Sequence, residues 1–173
     1  IQCNSEIPSK SVPDFSLGDN YLGVDVGRLG QDISSFVSVQ RINRKKCMMI
    51  DIKTLEQRPL TETADMILAL DKKFHYKLIY IDSAGIGAGI YDFLLRDQRI
   101  GRRIIAVEGV RKNLDRDDKN TRRTVKEELY HNLKFLMESS QIEIFNADEI
   151  KLSLRTVQYE YVGQKMEIFG AYT

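Results

Sequence analysis

The sequence predicts an α/β protein with one mixed β-sheet, helices on both faces of that sheet, and a β-hairpin at the C-terminal end. Three observations predict this class. Three apolar segments of strand length come first, strands and amphipathic helices then alternate, and two final strand segments flank a Gly-Gln turn. Residues 1–20 are polar and contain two of the three prolines, so we assign them to a linker or tail and place one domain at 21–173.

The N-terminal half begins with three predicted strands. They cover 21–27, 33–42 and 46–55, and the short turn at Asn43 and Arg44 indicates an antiparallel meander. Helical spacing of apolar residues then predicts a helix over 59–74, with Thr61 as its N-cap. A strand over 77–82, a helix over 88–97 and a strand over 103–107 follow, in the alternation typical of a sheet covered by helices.

The C-terminal half begins with a polar loop over 108–120. The longest predicted helix covers 121–139, where apolar residues recur at helical spacing, and a short apolar strand follows at 141–145. A helix over 146–157 is expected to begin at Asn146, a residue type that often caps helices. The last segment, 156–172, alternates around Gly163 and Gln164, which predicts the hairpin.

Composition excludes several classes of protein. The formal net charge is +1, so any binding of nucleic acid requires a local basic patch. No stretch approaches the roughly 20 apolar residues that span a membrane, and we expect no membrane partner. Cys3 and Cys47 lack the spacing of a zinc site, and two histidines are too few for a histidine cluster. The two cysteines fit a reducing compartment.

Two carboxylates interrupt apolar strands. In "YLGVDVGRLGQD" (21–32), Asp25 lies inside an apolar run, where burial of an unpaired carboxylate costs several kcal/mol. In "KLIYIDSAGIGAGIYDFL" (77–94), Asp82 directly follows four apolar residues. Sites in sheets of this kind form at the carboxyl ends of neighbouring strands, so we expect the two carboxylates to be neighbours that share a metal ion.

Carboxylate oxygens suit Mg²⁺ or Mn²⁺, and a pair of such ions about 4 Å apart activates water and stabilises the leaving oxygen of a phosphodiester. Glycines after each acid allow close approach of a ligand, and Asp32 and Glu108 are further candidate ligands. A lone Asp at a strand end is also a common turn former, which is an equal interpretation for Asp82 alone and the stronger one for Asp32.

Basic residues cluster near the loop at 108–120 and the start of the longest helix. They are interpreted either as a solvated charged surface, which is the default for such runs, or as a grip on a phosphate backbone. The candidates for contact with DNA are Arg28, Arg111, Lys112, Lys119, Arg122, Arg123 and Lys126.

Four segments together resemble the C-terminal nuclease domain of the large terminase subunit of tailed viruses. They are "YLGVDVGRLGQDISSFV", "IYIDSAGIGAGIYDFL", "NTRRTVKEELYHNLKFLMESSQIEI" and "LRTVQYEYVGQKMEIFG", and the resemblance covers about 21–172. It implies a ribonuclease H-like fold and an endonuclease that uses Mg²⁺ or Mn²⁺, with two ions, to cut concatemeric viral DNA at the initiation and termination of packaging.

The resemblance also implies roles and partners. Asp25 matches the first metal ligand, Asp82 the second and Asp32 an accessory acidic position, while the third ligand is expected after the final hairpin, beyond Thr173. The implied partners are double-stranded viral DNA, an ATPase domain of the same polypeptide, the portal and the small terminase subunit. The implied location is the host cell cytoplasm, transiently at the procapsid portal. No G-x-x-x-x-G-K-[ST] loop occurs, so the given sequence resembles the nuclease part alone.

Two other functions remain open. "GVDVGRLGQDISS" also resembles the phosphate-binding turn of actin-like and sugar-kinase-like nucleotide binders, which share the ribonuclease H-like core. A non-catalytic module that docks DNA or protein is the second alternative, and it is expected to bind no divalent ion between Asp25 and Asp82.

Overall fold

The computed structural model describes residues 18–27, 33–83, 87–108, 124–162 and 165–170. The chain divides into two compact units, Lys10–Val107 and a second unit formed by Ile1–Ser9 with Glu108–Thr173.

The first unit is a mixed sheet with two helices. Its strands are β1 (Asp19–Asp25), β2 (Ile33–Asn43), β3 (Lys46–Glu56), β4 (Leu78–Asp82) and β5 (Ile104–Val107), and its helices are α1 (Leu60–Phe74) and α2 (Gly87–Leu95). The strand order is β5-β4-β1-β2-β3. β1, β2 and β3 pair antiparallel, which confirms the predicted meander, and β1 pairs parallel with β4, as β4 does with β5.

One face of this sheet carries the core. Leu22 of β1 and Ile79 of β4 are fully buried, and they cluster with Ile67 of α1 and with Ile90 and Leu94 of α2. Because successive residues of a strand point to opposite faces, Gly23, Asp25, Tyr80 and Asp82 lie on the other face. The register of β1 and β4 therefore decides which side chains join the core and which remain available for a site.

The element boundaries of the first unit differ from the sequence prediction by one or two residues, and two of its predictions fail for a structural reason. β1 begins at Asp19, inside the segment assigned to a linker or tail, because the buried Asn20 amide donates to the carbonyl of Phe74 over 2.7 Å. Thr61 is not an N-cap, so that prediction is wrong. Pro59 precedes the helix instead and its carbonyl accepts from the Glu62 amide over 3.0 Å, since its fixed φ suits the entry to a helix.

The second unit contains two helices and three strands. They are α3 (Val125–Glu138), β6 (Ile142–Glu143), α4 (Asp148–Thr156), β7 (Val157–Val162) and β8 (Lys165–Gly170). β7 and β8 pair antiparallel from Val157–Gly170 to Val162–Lys165, which confirms the hairpin, while its predicted turn at Gly163 and Gln164 lies outside the described residues. The predicted α/β class, with a mixed sheet and a C-terminal hairpin, is confirmed.

Both predicted helix starts in this unit are wrong. α3 begins at Val125 rather than at 121, because Thr124 forms a capping box in which its hydroxyl accepts from the Glu127 amide. α4 begins after Ala147, so Asn146 does not cap it. Among the described residues, no helix is both long and apolar enough to cross a lipid bilayer.

A bidentate ion pair joins the last turn of α1 to Arg103, the residue that precedes β5. The Arg103 guanidinium donates to both oxygens of Asp71, over 2.8 and 2.9 Å, and also to the carbonyl of Tyr76. Asp71 in turn accepts from the Tyr76 amide over 3.2 Å. The hydrogen bond with Asp71 raises the pKa of Arg103. This pair fixes the segment that leads into β4.

We expect Arg103→Met to lower the free energy of unfolding by about 1–3 kcal/mol, because the half-buried Asp71 carboxylate and the Tyr76 carbonyl lose their charged donor. Urea titration of the intact chain measures the change. Arg99→Met is the matched control, since Arg99 pairs with Asp97 at an exposed position, and it should change the midpoint little. Equal loss in both variants would show that the Arg103 pair has no special structural role.

Candidate active site

Asp25 and Asp82 end neighbouring parallel strands in the same register. The β1–β4 ladder pairs Leu22 with Ile79, Gly23 with Tyr80 and Val24 with Ile81, and the two aspartates are the next residue on each strand. Adjacent strands lie about 4.8 Å apart, so two carboxylates that are 57 positions apart in the sequence leave the same edge and the same face of the sheet.

The assumption that Asp25 is buried is wrong. Asp25 is exposed and Asp82 is half-buried, because Asp25 lies on the face of β1 opposite Leu22 and Val24, which enter the core. Its apolar neighbours in the sequence point to the other side of the strand. A desolvation cost therefore does not single out Asp25. The argument for a site depends on the position of the two carboxylates side by side at the ends of two neighbouring strands.

Two serines that the sequence motifs do not single out hold the backbone next to the aspartates. The buried Ser34 hydroxyl accepts from the Gly27 amide over 3.0 Å and fixes the chain two residues beyond Asp25. The Ser83 amide and hydroxyl both donate to the Val107 carbonyl, over 3.1 and 3.3 Å, and so hold the chain after Asp82 to β5. Ser83 lies inside the segment 77–94 quoted above, and Ser34 follows Asp32 by two residues, but only the fold identifies the groups that these serines contact.

Gly87 lies so close to the carboxyl end of β4 that no larger residue fits there. A Cβ atom built on Gly87 would lie 1.8 Å from the backbone oxygen of Asp82, far inside van der Waals contact. The first residue of α2 therefore approaches the Asp82 backbone as only glycine can. A Cβ atom on Gly89 would meet nothing within 4 Å, so the expectation of close approach applies to Gly87 and not to Gly89.

The other candidate residues are only partly described. Glu108 is exposed and follows Val107 at the end of β5, and Lys126 is exposed in the first turn of α3. The remaining candidates lie outside the described residues: Asp32, Arg28, Arg111, Lys112, Lys119, Arg122 and Arg123. For these residues the roles given above stay predictions.

The carboxylates of Asp25 and Asp82 supply some, but not all, of the ligands that a divalent cation needs. Asp25 and Asp82 offer carboxylate oxygens, the hard ligands that Mg²⁺ and Mn²⁺ prefer. Across the described segments, no three His, Cys, Asp or Glu side chains lie close enough together to hold one metal ion. Two carboxylates at one edge therefore make an incomplete ligand set that a further acid, water or phosphate oxygen would complete.

We expect Gly87→Ala to destabilise the chain by about 1–3 kcal/mol, because the new methyl group forces α2 away from the Asp82 carbonyl. Gly89→Ala makes the same chemical change two residues away in open space, and a helical alanine there should raise stability by up to about 1 kcal/mol. Urea denaturation of both variants tests this. A similar midpoint for both would contradict the close approach.

Comparison with known proteins identifies the fold. No protein-family model matches the chain, and no curated protein sequence matches it. Among solved structures, the large terminase nuclease from thermophilic phage G20c superposes with a TM-score of 0.68 at 18% identity, over 90% of this chain and 74% of that one. A mutant nuclease domain of the large terminase subunit gp2 of bacterial virus Sf6, with manganese, has a TM-score of 0.65 at 15% identity, over 88% of this chain and 77% of that one.

The nuclease domain of the large terminase from bacteriophage SPP1, with bound Mn, has a TM-score of 0.57 at 20% identity, over 91% of this chain and 82% of that one. All three likenesses extend over most of both chains. The chain therefore has the ribonuclease H-like fold of the nuclease domains of phage large terminases.

Proposed function

We propose that this chain is the nuclease domain of a viral large terminase and hydrolyses phosphodiester bonds in DNA with the help of divalent cations. The observation that carries the proposal is the in-register placement of Asp25 and Asp82 at the carboxyl ends of β1 and β4. The fold supports it, since the similar solved structures are terminase nucleases and some of them hold divalent metals.

Asp25 and Asp82 are the residues that would hold the metal. A bound Mg²⁺ or Mn²⁺ pair supplies an activated water and neutralises the charge that develops on the phosphate and its leaving oxygen. Two divalent ions bring four positive charges, whereas these two carboxylates and one phosphodiester return three. A third acid is therefore part of the proposal, and Asp32, Glu108 or a residue following the hairpin would supply it.

The residues around the aspartates preorganise the site. Ser34 accepts from the Gly27 amide two residues after Asp25, Ser83 donates to the Val107 carbonyl of β5, and Gly87 brings α2 against the Asp82 backbone. These contacts restrain the two strand ends before any ligand binds. Two carboxylates held next to each other repel, so the site favours a cation that neutralises both.

The broader role follows from the same resemblance. We propose double-stranded viral DNA as the substrate, cut as a concatemer when packaging begins and ends, and an ATPase domain of the same polypeptide as the motor. The portal and the small terminase subunit are proposed partners, and the host cytoplasm, transiently at the procapsid portal, is the proposed location. Arg28, Arg111, Lys112, Lys119, Arg122, Arg123 and Lys126 are the proposed contacts to the phosphate backbone.

The alternative functions predict different binding. A nucleotide binder would retain labelled ATP in the presence of Mg²⁺ and would not cut DNA. A non-catalytic docking module would bind neither a divalent ion nor ATP at the strand edge. Isothermal titration of the chain with Mn²⁺ and, separately, with ATP distinguishes these alternatives from the nuclease without using cleavage as the readout.

We expect Asp25→Asn and Asp82→Asn each to reduce cleavage of plasmid DNA in Mn²⁺ by at least a hundredfold and to weaken Mn²⁺ binding, because each removes a ligand charge while keeping the side-chain shape. Both variants should stay folded by circular dichroism, since Asn keeps the side-chain shape.

Asp19→Asn is the matched control for these variants. Asp19 lies on the same strand and the same face as Asp25, but at the opposite end, where it pairs with Lys77 at an exposed position. The control should bind Mn²⁺ as the unmodified chain does and should not lose cleavage. Undiminished cleavage by Asp25→Asn would refute the assignment of the site.

The identity of the third acid is tested separately. We expect Mn²⁺ titration of the chain to show one tight site and one weak site, and the weak site to disappear in Asp32→Asn or in Glu108→Gln if either residue is the third ligand. If both variants keep the weak site, a chain extended by about 15–20 residues, roughly one helix, should bind the second ion tightly. Two tight sites in both variants and in the original chain would contradict the charge argument.

A further inference from the structure

We infer that the chain has a second DNA-binding surface at the amino-terminal edge of its parallel strands, opposite the edge that carries Asp25 and Asp82. We call this surface the basic edge and define it by the segments 41–46, 71–77 and 96–103. The inference deepens the proposed function, because it takes DNA as the polymer that the chain handles. It concerns binding away from the metal site, so it can fail independently of cleavage.

The topology gathers these three segments at one edge. Asp19 at the start of β1 pairs with Arg41 near the end of β2, and Asn43 pairs with Lys46 across the turn to β3. The segment 71–77 ends α1 and leads into β4, and 96–103 leads from α2 into β5. β1 has seven residues, so the basic edge lies about 20 Å from Asp25.

The basic edge is strongly positive although the whole chain is nearly neutral. Its segments contain eleven Lys and Arg residues and two acids, Asp71 and Asp97. With Asp19, which the ladder places beside them, the excess is eight positive charges, against +1 for the chain. This concentration of charge at one edge is not visible in the overall composition, and it produces a local field that attracts polyanions.

All three acids are already engaged. Asp19 forms an ion pair with Lys77, and Asp71 forms one with Arg103. Asp97 forms an ion pair with Arg99, with 2.6 Å between the guanidinium nitrogen and the carboxylate oxygen. Within the described part of the chain, seven other cations of the basic edge form no ion pair: Arg41, Arg44, Lys45, Lys72, Lys73, Arg96 and Arg102. Lys73 lies over the ring of Phe74 instead, at 4.5 Å from its centroid. The surplus charge is therefore available to a partner.

Arg96 and Arg102 line the same open cavity of about 630 Å³, together with Leu95, Gln98 and Gly101. Asp97 also lines it, but its oxygens are taken by Arg99, and these hydrogen bonds lower the pKa of Asp97 to about 2. A cavity lined by two exposed guanidinium groups, and by one carboxylate that is already paired with Arg99, favours binding of an anion. Guanidinium groups match the geometry of phosphate oxygens.

Duplex DNA fits this surface better than an acidic protein does. The free cations extend from the β2–β3 turn, across the end of α1, to the cavity before β5, and duplex DNA carries one negative charge per about 1.7 Å of its length. A row of separated Lys and Arg side chains can follow such a backbone. An acidic protein surface would require matched apolar contacts, which the largely charged segments 41–46 and 71–73 do not offer.

The test measures binding of a fluorescent 20-base-pair duplex to full-length Asp25→Asn protein in EDTA, over a range of salt concentrations. Adding Arg96→Gln and Arg102→Gln should make the slope of log K against log salt shallower by about 1.8 and weaken binding at 0.1 M salt roughly sixtyfold, because two phosphate contacts are lost. Arg44→Gln with Lys45→Gln, at the other end of the basic edge, should have a similar effect.

Lys53→Gln with Lys134→Gln is the matched control, since it removes two exposed charges outside the basic edge and should leave the slope unchanged. Circular dichroism checks that each variant is folded. An unchanged slope in both basic-edge variants, or an equal change in the control, would overturn the inference. Tighter binding of a polyglutamate peptide than of a duplex of equal charge would also overturn it and indicate an acidic protein partner.

Discussion

The parallel pairing of β1 with β4 is the contact on which the rest of the site depends. The two strands are separated in sequence by the β2–β3 hairpin and α1, so only a crossover connection brings them together. The ladder places Leu22 beside Ile79 and Val24 beside Ile81 in the core. A slip of one residue would turn Asp82 toward α1 and α2 and bury Tyr80 in place of Ile81. The core and the candidate metal site are thus two consequences of one register.

That register is fixed chiefly at the amino-terminal end of the strands. The Lys77 amide donates to the Asn20 carbonyl over 2.7 Å, and the Asn20 side chain donates to Phe74, so β1 is bound to the chain that enters β4. The Tyr76 hydroxyl shares a 2.6 Å hydrogen bond with Ser38 of β2. Burial raises the pKa of Tyr76, so the phenol stays protonated and keeps this bond at all ordinary pH values.

Much of the first unit could be predicted from sequence because its signals are local. The alternation of apolar and polar residues predicted β2 and β3, and short apolar runs predicted β1 and β4. The exposure of Asp25 could not be inferred in the same way, since an apolar run does not show which face of a strand meets the core. The capping box at Thr124 was readable as T-x-x-E, but the pairing of Arg103 with Asp71 was not, because the two residues are 32 positions apart and meet only through the fold.

The distribution of charge follows from the same strand arrangement. Strand ends that point one way carry Asp25 and Asp82, and the turns at the opposite edge carry most of the arginines and lysines of the first unit. The proposed site at the first edge would attract cations, whereas the basic turns repel cations and attract phosphate. Under the proposed function, the separation of about 20 Å, which is the length of β1, would let one small unit hold metal ions and a polyanion without either field cancelling the other, since that distance exceeds the Debye length of about 8 Å at physiological salt.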